Sequence, residues 1–251
     1  MKNTEICTVG GYNEVGRNMT AINVAGETVV CDIGFNVQKV VEYQEETPTQ
    51  EAHTKEILTR IDAIPNHNKI KSWIPNTKAI FATHCHLDHI GGIQYVAPDF
   101  KAPIVATPFT LQVIKNQARD DSLKLPNPYI PVKINSFYKA SKNIKVEFLE
   151  IPHSTPETSA LAIHTKKGVY IYATDWKFDN TPVIGNKPNY KRLKELGKKG
   201  VKALIMDSLY SKDNIKTPSE KIAKELLKDV LLGTENSESA IITTCFASHV
   251  A

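Results

Sequence analysis

Three imidazoles and a carboxylate fall within six positions of this chain, in the stretch Thr83-His84-Cys85-His86-Leu87-Asp88-His89-Ile90-Gly91-Gly92. His84 and His86 are two residues apart, so both can converge on one metal where a strand loosens into a loop. Asp88 and His89 lie just beyond and can hold a second ion a few ångströms away. Imidazole mixed with carboxylate suits zinc first, with manganese or iron as alternatives. A histidine-rich surface loop is the plain alternative, but this density directly after a hydrophobic run points to a metal site.

The elements around that stretch must supply its position. Ala79-Ile80-Phe81-Ala82 leads in as a buried strand, and a small-residue segment leads out toward a helix. Upstream, Ile6–Val9, Met19–Val24 and Thr28–Asp32 read as strands, with Ala25-Gly26-Glu27 as a tight turn. The loop Gly10–Asn18 is glycine-rich without the spacing of a nucleotide-binding turn, so it is either a plain connection or part of the rim of a site. Asp32 closes its strand, where it can serve as a turn residue or as the partner that steadies a metal-bound histidine. Residues 36–78 are polar and mixed, with a helix expected only over Gln50–Ile61. A strand over Ala102–Ala106 and a helix over Pro108–Ala118 follow, and the proline-rich run Leu125–Pro131 is expected to be irregular.

Alternation resumes with strands over Ile144–Ile151, Ser159–Thr165 and Val169–Ala173. His153 and Asp175 each fall at the end of one of them, as the first cluster does. That shared placement is what a site along one edge of a β-sandwich requires. His164 sits mid-strand and reads as structural, and His53 and His67 read as surface residues. A helix over Tyr190–Leu196, a strand over Lys202–Met206, a helix over Pro218–Leu232 and a strand over Ser239–Thr244 complete the chain.

With 251 residues, 41% hydrophobic and 23% charged, the chain has an ordinary globular composition and can bury a sizeable core. No apolar run is long enough to span a bilayer, and the first residues are no secretory signal. Four scattered cysteines favour a reduced, cytoplasmic protein over a disulfide scaffold. The net charge of +4 is compatible with a polyanionic partner and excludes little else.

The pattern His84-x-His86-x-Asp88-His89 resembles the signature of the metallo-β-lactamase fold, an α+β αββα sandwich. That resemblance implies two divalent metal ions, Zn2+ foremost with Mn2+ as the alternative. His84, His86 and His153 would form a tripod for one ion, Asp88 and His89 would hold the other, and Asp175 would bridge. Longer stretches narrow the family further. Val9-Gly10-Gly11-Tyr12-Asn13-Glu14-Val15-Gly16-Arg17-Asn18-Met19-Thr20, His153-Ser154-Thr155-Pro156-Glu157-Thr158 and Asp175-Trp176-Lys177-Phe178-Asp179-Asn180-Thr181-Pro182-Val183 are similar to ribonuclease J, especially its archaeal form. So are Leu193–Val201, Asp207-Ser208 and Thr244–His249, so the likeness runs nearly the whole chain and is weakest over residues 36–78.

The resemblance implies a ribonuclease that works from the 5′ end of single-stranded RNA, often with endonuclease activity as well. It would hydrolyse phosphodiesters with a hydroxide shared by two ions, and Asp88, Asp175 and Asp207 would be its catalytic carboxylates. Asp207 matches the first acidic motif of the β-CASP domain that this family adds to its core. On that basis residues 1–207 are the amino-terminal part of the metallo-β-lactamase domain and residues 208–251 the start of β-CASP. Family members continue further, with another metal-binding histidine and their RNA phosphate-binding histidines, and they often form homodimers through later regions. The chain is therefore expected to be an amino-terminal part, and two rivals stand beside the nuclease. One is a hydrolase of a small β-lactam, lactone or thioester; the other is an RNA-binding fragment that is catalytically incomplete. Lys166-Lys167 and Lys198-Lys199 are candidate contacts to an RNA backbone, although such pairs are commonly solvated surface.

Overall fold

The computed structural model describes residues 4–47, 53–233 and 240–245. Two sheets form its centre. The first runs in the order β1 (Thr4–Gly10), β2 (Met19–Val24), β3 (Glu27–Cys31), β4 (Thr77–Phe81), β5 (Ile104–Ala106) and β6 (Tyr129–Pro131). β1, β2 and β3 pair antiparallel, and from β3 to β6 the pairing is parallel. The second sheet comprises β7 (Phe137–Lys139), β8 (Lys145–Glu150), β9 (Ser159–Thr165), β10 (Gly168–Ala173) and β11 (Val201–Met206). It is antiparallel except where β11 joins β10 in parallel.

Side-chain alternation along these strands builds the layers. In the first sheet Ile22, Val29, Cys31, Ala79 and Phe81 point inward to meet Val146, Phe148, Leu161 and Ile163 of the second, forming the core between the sheets. The alternate residues Met19, Ala21, Val30 and Ile80 face the other way, onto the helices. Those helices are α1 (Val37–Glu46), α2 (Lys55–Arg60), α3 (Leu87–Ile90), α4 (Ile93–Val96) and α5 (Pro108–Asp120). On the far side Leu149, Ala160, Ala162 and Ile171 pack against Leu196 of α6 (Tyr190–Lys199). The result is the expected αββα order, with three cores between four layers.

Most expected elements form, with differences that have physical causes. α1 lies in a stretch read as merely polar, because Val40 is its only buried residue; Asn36 caps it by accepting from the Lys39 N–H. The proline-rich run, expected to be irregular, contributes β6. Pro131 is tolerated because β6 is an edge strand bonded on one side only. β7 is a three-residue exposed edge, too short for alternation to reveal. At the other end, 240–245 has no regular structure where a strand was expected; Ser239 and His249 lie outside the described residues. The final helix, α7 (Glu220–Gly233), has no buried residue, and Asp179 holds its first turn by accepting from the Glu220 N–H at 2.8 Å. His67 is less exposed than a surface reading implies: its ring reaches Asp99 at 2.6 Å and lies beside Phe100. No helix among the described residues is long and apolar enough to cross a membrane. All four cysteines are free.

Candidate metal centre

The loop after β4 and the short helix α3 carry His84, His86, Asp88 and His89, while the ends of β8 and β10 deliver His153 and Asp175. All six meet at one edge of the sandwich. They fall into two donor groups: His84, His86, His153 and Asp175, and Asp88, His89 and Asp175. In the first, His86 Nδ1 lies 3.1 Å from His84 Nε2 and 3.0 Å from His153 Nε2. Asp175 divides between the groups. Its Oδ2 is 3.3 Å from His153 Nε2 and 3.7 Å from His84 Nε2, whereas its Oδ1 is 3.3 Å from His89 Nε2. Asp88 Oδ2 completes the second group, 3.2 Å from His89 Nε2.

Contacts outside the cluster orient three of the four rings. His89 Nδ1 donates to Asp32 Oδ2 at 2.8 Å, so its Nε2 faces Asp88 and Asp175. His84 Nδ1 lies 3.0 Å from Thr83 Oγ1, and that hydroxyl is itself held by both oxygens of Asp32. His86 turns its Nε2 to Ser154 Oγ at 3.3 Å and its Nδ1 to the cluster. Asp32 is thus the hub beneath the site. It is fully buried, accepts the Thr83 N–H at 2.8 Å and adopts a left-handed φ of 58°. That conformation costs a non-glycine residue energy, least for Asp or Asn, and the surrounding bonds hold it.

Electrostatics differ between the halves. Burial holds the His84 imidazole well below its usual pKa, with the neighbouring His89 adding to the effect. His89 moves the opposite way: burial opposes its charge, but Asp88 and Asp32 outweigh this and push it well up. For Asp175, burial works to raise the carboxyl, yet the hydrogen bonds from His153, His86 and His89 hold it far below the carboxylate range. Asp88 is lowered too, against burial, chiefly by His89. The carboxylates are therefore ionised at neutral pH and concentrate around His89, where they call for positive charge.

The strand-end geometry depends on close backbone contact between the loop after β3 and the metal motif. Ile33 N donates to His89 O at 2.9 Å, Phe35 N to Leu87 O at 2.9 Å and Gly92 N to Ile33 O at 2.9 Å. Gly34 sits in the middle, where an added Cβ would fall 1.6 Å from the Asp88 carbonyl oxygen. Only glycine fits that approach.

Asn18 also enters the site: its Nδ2 is 3.0 Å from Asp88 O, 3.3 Å from Asp88 Oδ2 and 3.2 Å from His89 Nε2. Sequence reading left the Gly10–Asn18 loop undecided, and the structure places its end at the rim. Asn18, Thr83 and Ser154 were not singled out; adjacency to His84 and His153 was the only signal for the last two. Asp207 does not join either donor group. It is exposed at the end of β11, where its Oδ1 accepts the Leu209 N–H at 2.7 Å as a turn residue does. His164 bonds Glu147 Oε2 at 2.8 Å, in keeping with a structural role.

The donors fit divalent metal ions: the imidazole and carboxylate atoms of each group lie within 4.8 Å of one another, with the outward nitrogens of His84, His86 and His89 already engaged. The beta-lactamase superfamily domain matches residues 43–208, which take in all of these donors. The chain belongs to that superfamily. Among curated relatives, ribonuclease J of Pyrococcus abyssi is 40% identical over 98% of this chain and 54% of its own length. Ribonuclease J of Methanocaldococcus jannaschii is 39% identical over 98% of this chain and 55% of its own. The chain thus spans about half the length of these relatives. A structure from Enterococcus faecalis, of a protein of unknown function, superposes with a TM-score of 0.65 at 19% identity. It covers 93% of this chain and 58% of its own, and shares the fold.

Proposed function

We propose that this chain is the metal-binding part of a ribonuclease of the ribonuclease J kind, cutting RNA phosphodiesters with two divalent ions. The observation that carries the reading is the two-sided Asp175 in a chain 40% identical to an archaeal ribonuclease J over nearly all its length. His84, His86, His153 and Asp175 would hold one ion, and Asp88, His89 and Asp175 the other. Zinc fits the imidazole-rich first group best, with manganese as the alternative. Bound there, the ions would neutralise charge on the scissile phosphate and lower the pKa of an attacking water.

The chain's own residues prepare that chemistry. Thr83 and Asp32 engage Nδ1 of His84 and His89, and Ser154 meets Nε2 of His86, so the opposite ring nitrogens face the positions the ions would take. Asp175, ionised and shared, keeps the two halves in register. Asp88 adds a second negative charge beside His89. Backbone hydrogen bonds between residues 33–35 and 87–92 tie these groups to the end of the first sheet, limiting reorganisation during reaction. Single-stranded RNA approached from its 5′ end in the cytoplasm, a catalytic part for Asp207, and a division near residue 207 between core and β-CASP belong to the same reading.

The test is cleavage of 5′-monophosphorylated, 3′-labelled RNA by the metal-reconstituted protein, with Asp175→Ala and nitrocefin hydrolysis as controls. RNA shortening in the wild type and at least a 100-fold loss in Asp175→Ala is the expected result. Nitrocefin hydrolysis without RNA cleavage would overturn it in favour of a small-molecule hydrolase.

A further inference from the structure

The first donor group is assembled from both halves of the sandwich. His84 and His86 follow β4 of the first sheet, whereas His153 and Asp175 follow β8 and β10 of the second. We infer that Ser159 is a positioning residue for this group, setting the gap between the two sheets at the metal edge by its hold on the residue before His84. The inference rests on the metal reading above and concerns the ion that these four donors would share.

Ser159 opens β9 and pairs with Glu150, the last residue of β8. Between them the chain makes the loop 151–158 that carries His153. Both donors of Ser159 go to one acceptor across the sandwich: its N–H and its Oγ each donate to the Thr83 carbonyl oxygen at 3.0 Å. A carbonyl oxygen accepts two hydrogen bonds, and here one residue supplies both. Ser159 and Thr83 are both buried, where a hydrogen bond is electrostatically stronger than at the surface.

Thr83 is the junction between the sheets. Its N–H and hydroxyl hold Asp32, and the hydroxyl lies 3.0 Å from His84 Nδ1. With its carbonyl on Ser159, every polar group of Thr83 is engaged, so a shift of Ser159 passes to His84 through a single residue. On the other side the loop is stiffened from within. The buried hydroxyls of Thr155 and Thr158 are 2.9 Å apart, and Thr158 Oγ1 donates to Thr155 O at 3.0 Å. The loop then presents His153 Nε2 at 3.0 Å from His86 Nδ1. A metal site needs its ligands held to within about 0.5 Å, and the Ser159 hydroxyl fixes the first-sheet pair against the second-sheet pair.

A bond of the same kind crosses the sandwich elsewhere. Ser141 Oγ donates to Glu27 Oε2 at 2.6 Å. Glu27 opens β3 and Ser141 precedes β8, and both strands run from there toward the metal edge, so this link lies at the opposite end. Ser141→Ala and Ser159→Ala thus remove the same atom from the two ends of one sandwich, and only the second should reach the ions.

Calorimetric titration of the chelator-stripped proteins with Zn2+, beside urea denaturation of each metal-free variant, is the test. His153→Ala identifies the binding step that belongs to the first group. In Ser159→Ala that step is expected to weaken about tenfold, the low end for a residue acting through a ligand, because the backbone N–H still holds Thr83. Ser141→Ala should bind as wild type does, whatever its cost in urea. Unchanged affinity at the first group in Ser159→Ala, with the ion bound in wild type, overturns the Ser159 assignment alone. Equal weakening in both serine variants also overturns it, because general loosening of the sandwich then accounts for the loss. A wild-type protein in which no binding step responds to His153→Ala overturns it together with the metal reading.

Discussion

Asp32 shows how much of the centre depends on a residue that touches no substrate. Its carboxylate holds His89 directly and His84 through the Thr83 hydroxyl. Asp32→Asn keeps the left-handed backbone acceptable, removes the charge and sets an NH2 donor where a carboxylate oxygen now accepts. Metal affinity should fall about 10- to 100-fold while the fold survives, read by titration beside a circular dichroism spectrum. At this scale the sequence was most informative about groups whose type alone is unusual: the spacing of His84, His86, Asp88 and His89 could hardly serve another purpose. His153 and Asp175 were legible because each follows a strand. Asn18, Thr83 and Ser154 were not, since asparagine, threonine and serine have many uses and only the folded chain brings them within bonding distance.

At the scale of elements, two stretches of irregular backbone do what the strands cannot. Residues 32–36 and 87–92 run against one another, bonded N–H to carbonyl, and Gly34 permits the closest approach. Gly34→Ala must push the Asp88 carbonyl away, moving Asp88 and His89 together. A loss of about 3 kcal/mol or more in stability is expected in urea denaturation, with the second ion lost before the first. Gly197→Ala, where an added Cβ meets nothing within 4 Å, is the matched control and should not destabilise. The central strands were readable because burial on one or both faces leaves a regular apolar pattern. α1 and the edges β6 and β7 were not, because little of each is buried and their form is set by partners far along the chain.

For the whole molecule, the αββα order follows from three separate apolar layers, and the outer layer on the α6 side is pinned by charge as well as packing. Glu147, 3% exposed on β8, accepts from Arg192 of α6 at 2.6 and 3.0 Å and from His164. Hydrogen bonds to Glu147 and then Glu195 push the guanidinium further up, so it is charged at every pH of interest. Arg192→Ala would leave a buried carboxylate with one partner, and unfolding free energy should drop by about 1–3 kcal/mol with metal binding intact. The layer order was anticipated through a family resemblance more than through periodicity, which marks strands but not their order in a sheet. Every functional step above depends on two ions sharing Asp175. Anomalous diffraction from crystals soaked in Zn2+ locates them directly. Two peaks about 3.5–4 Å apart, with Asp175 between them, are predicted; a single peak, or peaks away from His84, His89 and Asp175, would contradict the two-ion centre.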